Sequence, residues 1–223
     1  TEAQEANPQF MVGVTAYNDM VSGRQLFTSG GQLTGKESAS EKAGYQAAQA
    51  AFATGKNDEP KDPSLSGQSV QYQDAYNNAY DSAKQIATSG ANDAYATSPS
   101  TDTSKLSSTE LDAYNAGKQN AENAYNAISG DTTIANNNIA NSDAYNSFEG
   151  AKAGFIAGKT GNDTSLDGKS TAYINAYKSA KAQAAQAAAE GLAQFNANQT
   201  DTATNSNDAI NVAHKNAYNQ AQA

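Results

Sequence analysis

Three tyrosines spaced four apart, Tyr72, Tyr76 and Tyr80 in QYQDAYNNAYDSAK, are the residues here whose type and spacing best suit recognition. Aromatic faces in a row can stack on sugars or bases. Residues four apart on a helix drift, so three rungs turn by about 80°. Tyr72 and Tyr76 are therefore read as core, and Tyr80 as an edge residue and the candidate ligand contact. The single histidine, His214, is read as a polar residue at a bundle edge, aligned with Lys118 in a weaker internal match. The acidic stretches KNDEPKD (56–62) and TGNDTSLDG (160–168) could offer oxygens to calcium. Neither has the D-x-[DN]-x-[DN]-G spacing with a distant Glu, so no metal is assigned. With no Cys, one His and no G-x-S-x-G elbow, no nucleophilic triad can be assembled. Paired carboxylates alone do not make a glycosidase without a cleft. The expectation is a non-enzyme without cofactors.

Composition narrows the partners. The net charge of −9 with scattered lysines argues against nucleic acid. No apolar run reaches the roughly 18 residues of a membrane span. Leu, Ile, Val and Phe total only 25 of 223 residues, a level found in disordered chains. Alanine instead supplies more than half of the 38% hydrophobic content, and it is the strongest helix former. The chain begins at Thr1, which reads as a mature or excised piece.

The elements that would position these residues are helices with regular punctuation. LFTSG, FATGK, IATSG, AISG and FIAGK are read as stops at Gly30, Gly55, Gly90, Gly130 and Gly158. Leu33, Leu65, Leu106 and Leu166 each precede a candidate cap, Thr34, Ser66, Ser107 and Asp167. Thr34 with Glu37, and Ser107 with Glu110, have capping-box spacing. The pattern predicts seven helices, near 8–28, 34–54, 67–88, 107–128, 141–157, 168–195 and 206–222. The short Gly30–Leu33 link predicts antiparallel first neighbours.

A shift of 101 to 103 residues lays the chain on itself. FATGK falls on FIAGK, and Leu65, Gly67, Ser69, Tyr72, Tyr76, Ala79 and Ala83 fall on Leu166, Gly168, Ser170, Tyr173, Tyr177, Ala180 and Ala184. Tyr173, Tyr177, Ala180, Ala184, Ala187 and Gly191 step by four and three, the period of a left-handed bundle seam. The fold class expected is all-α, with tandem bundle repeats of about three helices per roughly 100 residues, elongated as a rod. The expected division is a leading helix at 1–33 and repeat units at 34–138 and 139–223, the last truncated by comparison with the first.

The phrases DAYNNAYDSAK (74–84), LDAYNAGKQNAENAYNAISG (111–130) and AYINAYKSAKAQAA (172–185) resemble Ala/Tyr/Asn-rich helical repeats of cell-surface proteins in lactobacilli and related lactic acid bacteria. The resemblance implies an extracellular, wall- or surface-held protein engaged in adhesion or aggregation, and it carries no site residue. The expected function is a non-catalytic adhesin segment contacting host or cell-envelope glycans or proteins. The alternatives are a stalk that projects another domain from the wall, and a self-association module.

Overall fold

A computed structural model describes residues 8–134, 142–204 and 206–223. Among them are seven α-helices and no strand: α1 (Pro8–Thr28), α2 (Ala39–Gly55), α3 (Val70–Asp93), α4 (Ser108–Gly130), α5 (Ser142–Thr160), α6 (Thr171–Asn196) and α7 (Ala209–Gln222). Short 3-10 turns at Pro63–Gly67 and Thr103–Lys105 precede α3 and α4. No helix among the described residues is long and apolar enough to cross a membrane. The contacts gather into two compact units, Thr1–Thr88 with Asp102–Ala116, and Ser89–Thr101 with Gly117–Ala223. Their boundaries fall inside α3 and α4. The expected junction between repeat units, at 138/139, lies outside the described residues.

Helix starts show where the caps are. Ser107 forms the expected capping box: its hydroxyl accepts from the Glu110 amide at 3.2 Å, and its own amide donates to the Glu110 carboxylate at 2.9 Å. The other three expected caps are corrected. Ser38, Ser69 and Ser170 cap α2, α3 and α6, accepting from the amides of Glu41, Tyr72 and Tyr173. Thr34, Ser66 and Asp167 belong to the turns before those helices. The leucine-led segments spend their polar groups on closing these turns. Glu37, for example, accepts from the Thr34 amide and hydroxyl and the Gly35 amide. Those bonds, the Thr34 hydroxyl first, hold its carboxyl down at about 2.

These turns send the chain back along the helix it has just left. Along α5 and α6, Gly150, Gly154 and Gly158 face the backbones of Tyr173, Tyr177 and Lys181 in that order. Each step of four along one helix is matched by a step of four along the other, so the two run in the same direction. The pairings Gly191 with His214 and Phe195 with Tyr218 give the same sense for α6 and α7. Asp19, midway along α1, meets Ser38 at the start of α2, and Phe27 at the end of α1 meets Phe52 near the end of α2, so these two also run in the same direction. The expectation of antiparallel first neighbours is therefore overturned. Ten linker residues, Ser29 to Ser38, can span about 30 Å, enough to run back along α1.

The first unit packs around Ala47, Ala48, Ala51, Phe52, Tyr76 and Tyr80, with Phe27, Leu65 and Tyr72 against them. Phe27 meets Tyr45 and Phe52 edge-on, with centroids 5.2 and 5.5 Å apart. Two of the last carbonyls of α1 accept from the start of α4: Thr28 from the hydroxyl of the cap Ser107 at 2.5 Å, and Phe27, which also accepts from the Gly30 amide, from the Thr109 hydroxyl at 2.9 Å. The second unit packs around Tyr125, Ile128, Phe148, Phe155 and the alanines of α6, with Tyr95 stacked on Tyr125 at 4.1 Å. The predicted seam of α6, Tyr173 to Gly191, is buried throughout.

The glycine stops need partial revision. Gly30 ends α1 with φ +80°, the left-handed conformation that glycine accepts without a steric penalty. Gly158 and Gly90 instead lie inside α5 and α3. Gly55, the last residue of α2, and Gly158 are there because a neighbouring backbone comes so close. A Cβ on Gly55 would lie 2.6 Å from the Tyr80 carbonyl oxygen. One on Gly158 would run into the Lys181 carbonyl oxygen and the Ala184 methyl.

Candidate functional site

The tyrosine ladder is anchored at both ends of its side chains. Ser69 caps α3, and from that start Tyr76 and Tyr80 point into the α2–α3 joint, 2% and 7% exposed. Their rings lie nearly parallel, centroids 6.4 Å apart. Their hydroxyls reach the turn that enters α3. Tyr76 shares a hydrogen bond with the Thr54 hydroxyl at 3.0 Å and accepts from the Asp62 amide at 3.3 Å. Tyr80 donates to the Glu59 carbonyl at 2.7 Å. The Lys61 ammonium lies 4.7 Å from the Tyr80 ring centroid and 2.8 Å from the Asn77 side-chain oxygen.

The expectation of Tyr80 at an edge is corrected: it is part of the core. The drift around α3 is real, but the returning 56–62 segment covers the side onto which Tyr80 turns. Burial first, then the Asp58 charge, pushes its phenol upward. Neither Tyr76 nor Tyr80 presents an open aromatic face to stack on.

A related arrangement stands at α6, with the stacked pair one rung earlier on the ladder. Tyr173 and Tyr177 lie parallel with centroids 6.5 Å apart. The Tyr177 hydroxyl donates to Asp163 at 3.0 Å and accepts from the Thr164 amide at 3.2 Å. Lys181, at the position of Tyr80, pairs with the same Asp163 carboxylate. Hydrogen bonds from Lys181 first, and Tyr177 second, lower the Asp163 carboxyl. The acidic loops are thus engaged by tyrosines, lysines and backbone amides. Among the described residues no three His, Cys, Asp or Glu side chains converge as metal ligands.

His214 is also corrected, from edge to interior: it is 7% exposed on α7. Its backbone carbonyl is what a Cβ on Gly191 would strike, so the α6–α7 contact draws the residue inward. The His214 Nδ1 lies 3.1 Å from an Asp201 carboxylate oxygen, yet that nitrogen makes no hydrogen bond of acceptable angle. The angle decides the matter, since a misdirected contact is not a hydrogen bond whatever its length. The Asp201 oxygen is taken by the Ala203 amide at 2.9 Å.

One concave feature escaped the sequence reading. Within the second unit, Ile128, Phe155, Ala209 and Val212 floor a half-open cavity of about 80 Å³, with Thr132, Lys152 and Lys159 also lining it. The only sequence signal is two lysines seven apart on α5, which share a helix face and bracket Phe155. Their neighbours across the cavity come from α4 and α7, distant in sequence.

No protein-family model, curated protein or solved structure matches the chain.

Proposed function

We propose that the chain is a non-catalytic spacer segment of a bacterial cell-surface protein, built from tandem helical repeats and serving to hold another part of that protein away from the wall. The observation that carries this reading is where the two self-similar stretches agree. Ala75, Tyr76, Ala79, Ala83 and Gly90 are buried, and so are their counterparts Ala176, Tyr177, Ala180, Ala184 and Gly191. Several exposed positions have diverged, Asp81 standing opposite Ala182 and Lys84 opposite Ala185, although Gln85 and Gln186 agree. Contacts repeat with the residues. Gly55 meets Tyr80 and Ala83, and Gly158 meets Lys181 and Ala184. A repeated adhesive surface would keep its outward residues, because multivalent binding needs the same contact presented more than once. A spacer needs only its joints. The resemblance to repeats of lactic acid bacterial surface proteins supports the location.

The test is retention of the purified chain on immobilised glycans, mucin, matrix proteins and intact bacterial cells at low and moderate salt. A spacer is retained no better than an unrelated acidic helical protein. Retention that survives moderate salt would overturn the spacer reading in favour of the adhesin. Sedimentation at rising concentration addresses self-association, which predicts a concentration-dependent mass.

A further inference from the structure

We propose that the cavity between α4, α5 and α7 is a binding site for a small carboxylate with a compact branched aliphatic tail, of the size of 3-methylbutanoate. Its floor is apolar, made by Ile128, Phe155, Ala209 and Val212. At about 80 Å³ it has roughly half the volume of a ~150 Å³ apolar cavity that accommodates benzene, which suits a branched tail of a few carbons.

The rim sets the sign of the ligand. Lys152 and Lys159 lie two turns apart on one face of α5 and both line the opening. In a chain with 23 acidic and 14 basic side chains, carboxylates are in excess. Lys56, Lys61, Lys84, Lys105, Lys118 and Lys181 each have one as a partner. Lys152 and Lys159 have none among the described residues, a condition they share with Lys36, Lys42, Lys169 and Lys178, and what sets them apart is that both line one apolar cavity. Lys152 only approaches the Phe148 ring, at 6.0 Å. The acids nearest in sequence to the other walls are engaged by backbone amides: Asp131 accepts from Thr133, and Asp208 from Ile210 and Asn211. Thr132 adds a hydroxyl with no hydrogen-bond partner among the described residues. An apolar floor beneath two uncommitted ammonium groups and a hydroxyl is complementary to an anion with a short greasy tail.

The experiment is an amide NMR titration of the whole chain with 3-methylbutanoate, its uncharged match 3-methylbutanamide, and acetate, which has the charge without the tail. The expected result is saturable binding of 3-methylbutanoate at about millimolar concentration, with shifts centred on Ile128, Thr132, Phe155, Ile156 and Val212. The amide should bind at least about threefold more weakly, the size of one exposed ion pair, and acetate at least as much more weakly, through the apolar contact its missing tail no longer makes. Lys152→Gln and Lys159→Gln should each remove most of the preference for acid over amide. Val212→Phe, which fills the cavity, should abolish the shifts while helical circular dichroism is kept. If Val212→Phe unfolds, the two lysine variants carry the test. Equal binding of acid and amide, equal binding of acetate, or shifts spread over lysines elsewhere would each overturn the proposal.

Discussion

Two helix joints, α2 on α3 and α5 on α6, are made from residues that align along the sequence, yet their backbones approach to different degrees. At α5–α6 three glycines in a row, Gly150, Gly154 and Gly158, face carbonyl oxygens of α6, and a Cβ on any of them would come within the 3.0 Å that real side chains avoid. At α2–α3 the corresponding residues are Ala47, Ala51 and Gly55. Both alanines are fully buried, so α3 leaves room there for a methyl that α6 does not. Only at Gly55 do the two joints agree. Glycine is required where the partner presents a carbonyl, and alanine serves one or two turns earlier if the helices diverge slightly. Close Cα to carbonyl contact adds a weak attraction of its own, about 0.5–1 kcal/mol each. The α2–α3 joint has fewer such contacts and carries the larger aromatic group, with Tyr80 where α6 has Lys181.

The strongest way to sharpen this comparison is to remove that aromatic group. Tyr80→Ala should cost about 3–5 kcal/mol in urea unfolding, the range for deleting a buried aromatic ring. Lys181→Ala should cost only a small part of that, as it removes an exposed ion pair. Equal losses would mean that Tyr80 is a surface residue after all. Next in size is the glycine contrast. Gly154→Ala should destabilise by about 1–3 kcal/mol through overpacking, although alanine gains about 1 kcal/mol in helix propensity. The reverse exchange in the other joint, Ala51→Gly, should also destabilise, by about 1 kcal/mol or somewhat more, from lost propensity and a lost methyl contact. A Gly154→Ala variant more stable than the parent would show that the α5–α6 backbones can part freely. Tyr76→Phe and Tyr177→Phe come third, each expected to lose about 1 kcal/mol by freeing the turn that the hydroxyl holds.

The number of helices, their approximate ends and the buried seam of α6 were legible because each is written in local spacing. Tyr173, Tyr177, Ala180 and Ala184 recur with a helical period that needs no tertiary knowledge. Direction was not legible. Gly30 and Gly158 look alike in sequence, though one reverses the backbone and the other admits a neighbouring carbonyl. Thr34 with Glu37 and Ser107 with Glu110 have identical spacing, yet only the second opens a helix. The difference lies in the residue after Thr34: Gly35, at φ +90°, breaks the first before a helical turn can form. Tyr80 and His214 were misplaced for a related reason. Each is covered by a returning loop, and a loop's path is set by contacts distant in sequence. The lysine-rimmed cavity depends on α4, α5 and α7 together and left only the Lys152 and Lys159 spacing as a trace.

The smallest expected difference between the joints is in their response to acid. At α5–α6 the turn is held through Asp163, whose carboxyl is lowered by Lys181 and then Tyr177, while Lys181 is raised by Asp163. A lowered carboxyl contributes stability above its unfolded value, about 3.9, and loses it as pH falls through the folded value. A raised lysine contributes below about 10.4 and loses it as pH rises through the folded value. The pair therefore acts between those limits. At α2–α3 the corresponding tie is the Tyr80 hydroxyl on the Glu59 carbonyl, and its phenol is raised by burial. That bond is complete below about 10 and fails only in alkali, so acid leaves it intact. A carboxyl-resolved NMR titration should place the Asp163 midpoint below the usual aspartate value. Lys181→Gln should move it up, and Tyr177→Phe should move it up by less. As the pH falls, the Thr164 amide should lose exchange protection before the Glu59 segment does. An Asp163 midpoint that ignores both substitutions would mean that the lysine and tyrosine do not hold that turn, leaving the backbone approach at Gly154 and Gly158 to fix the joint alone.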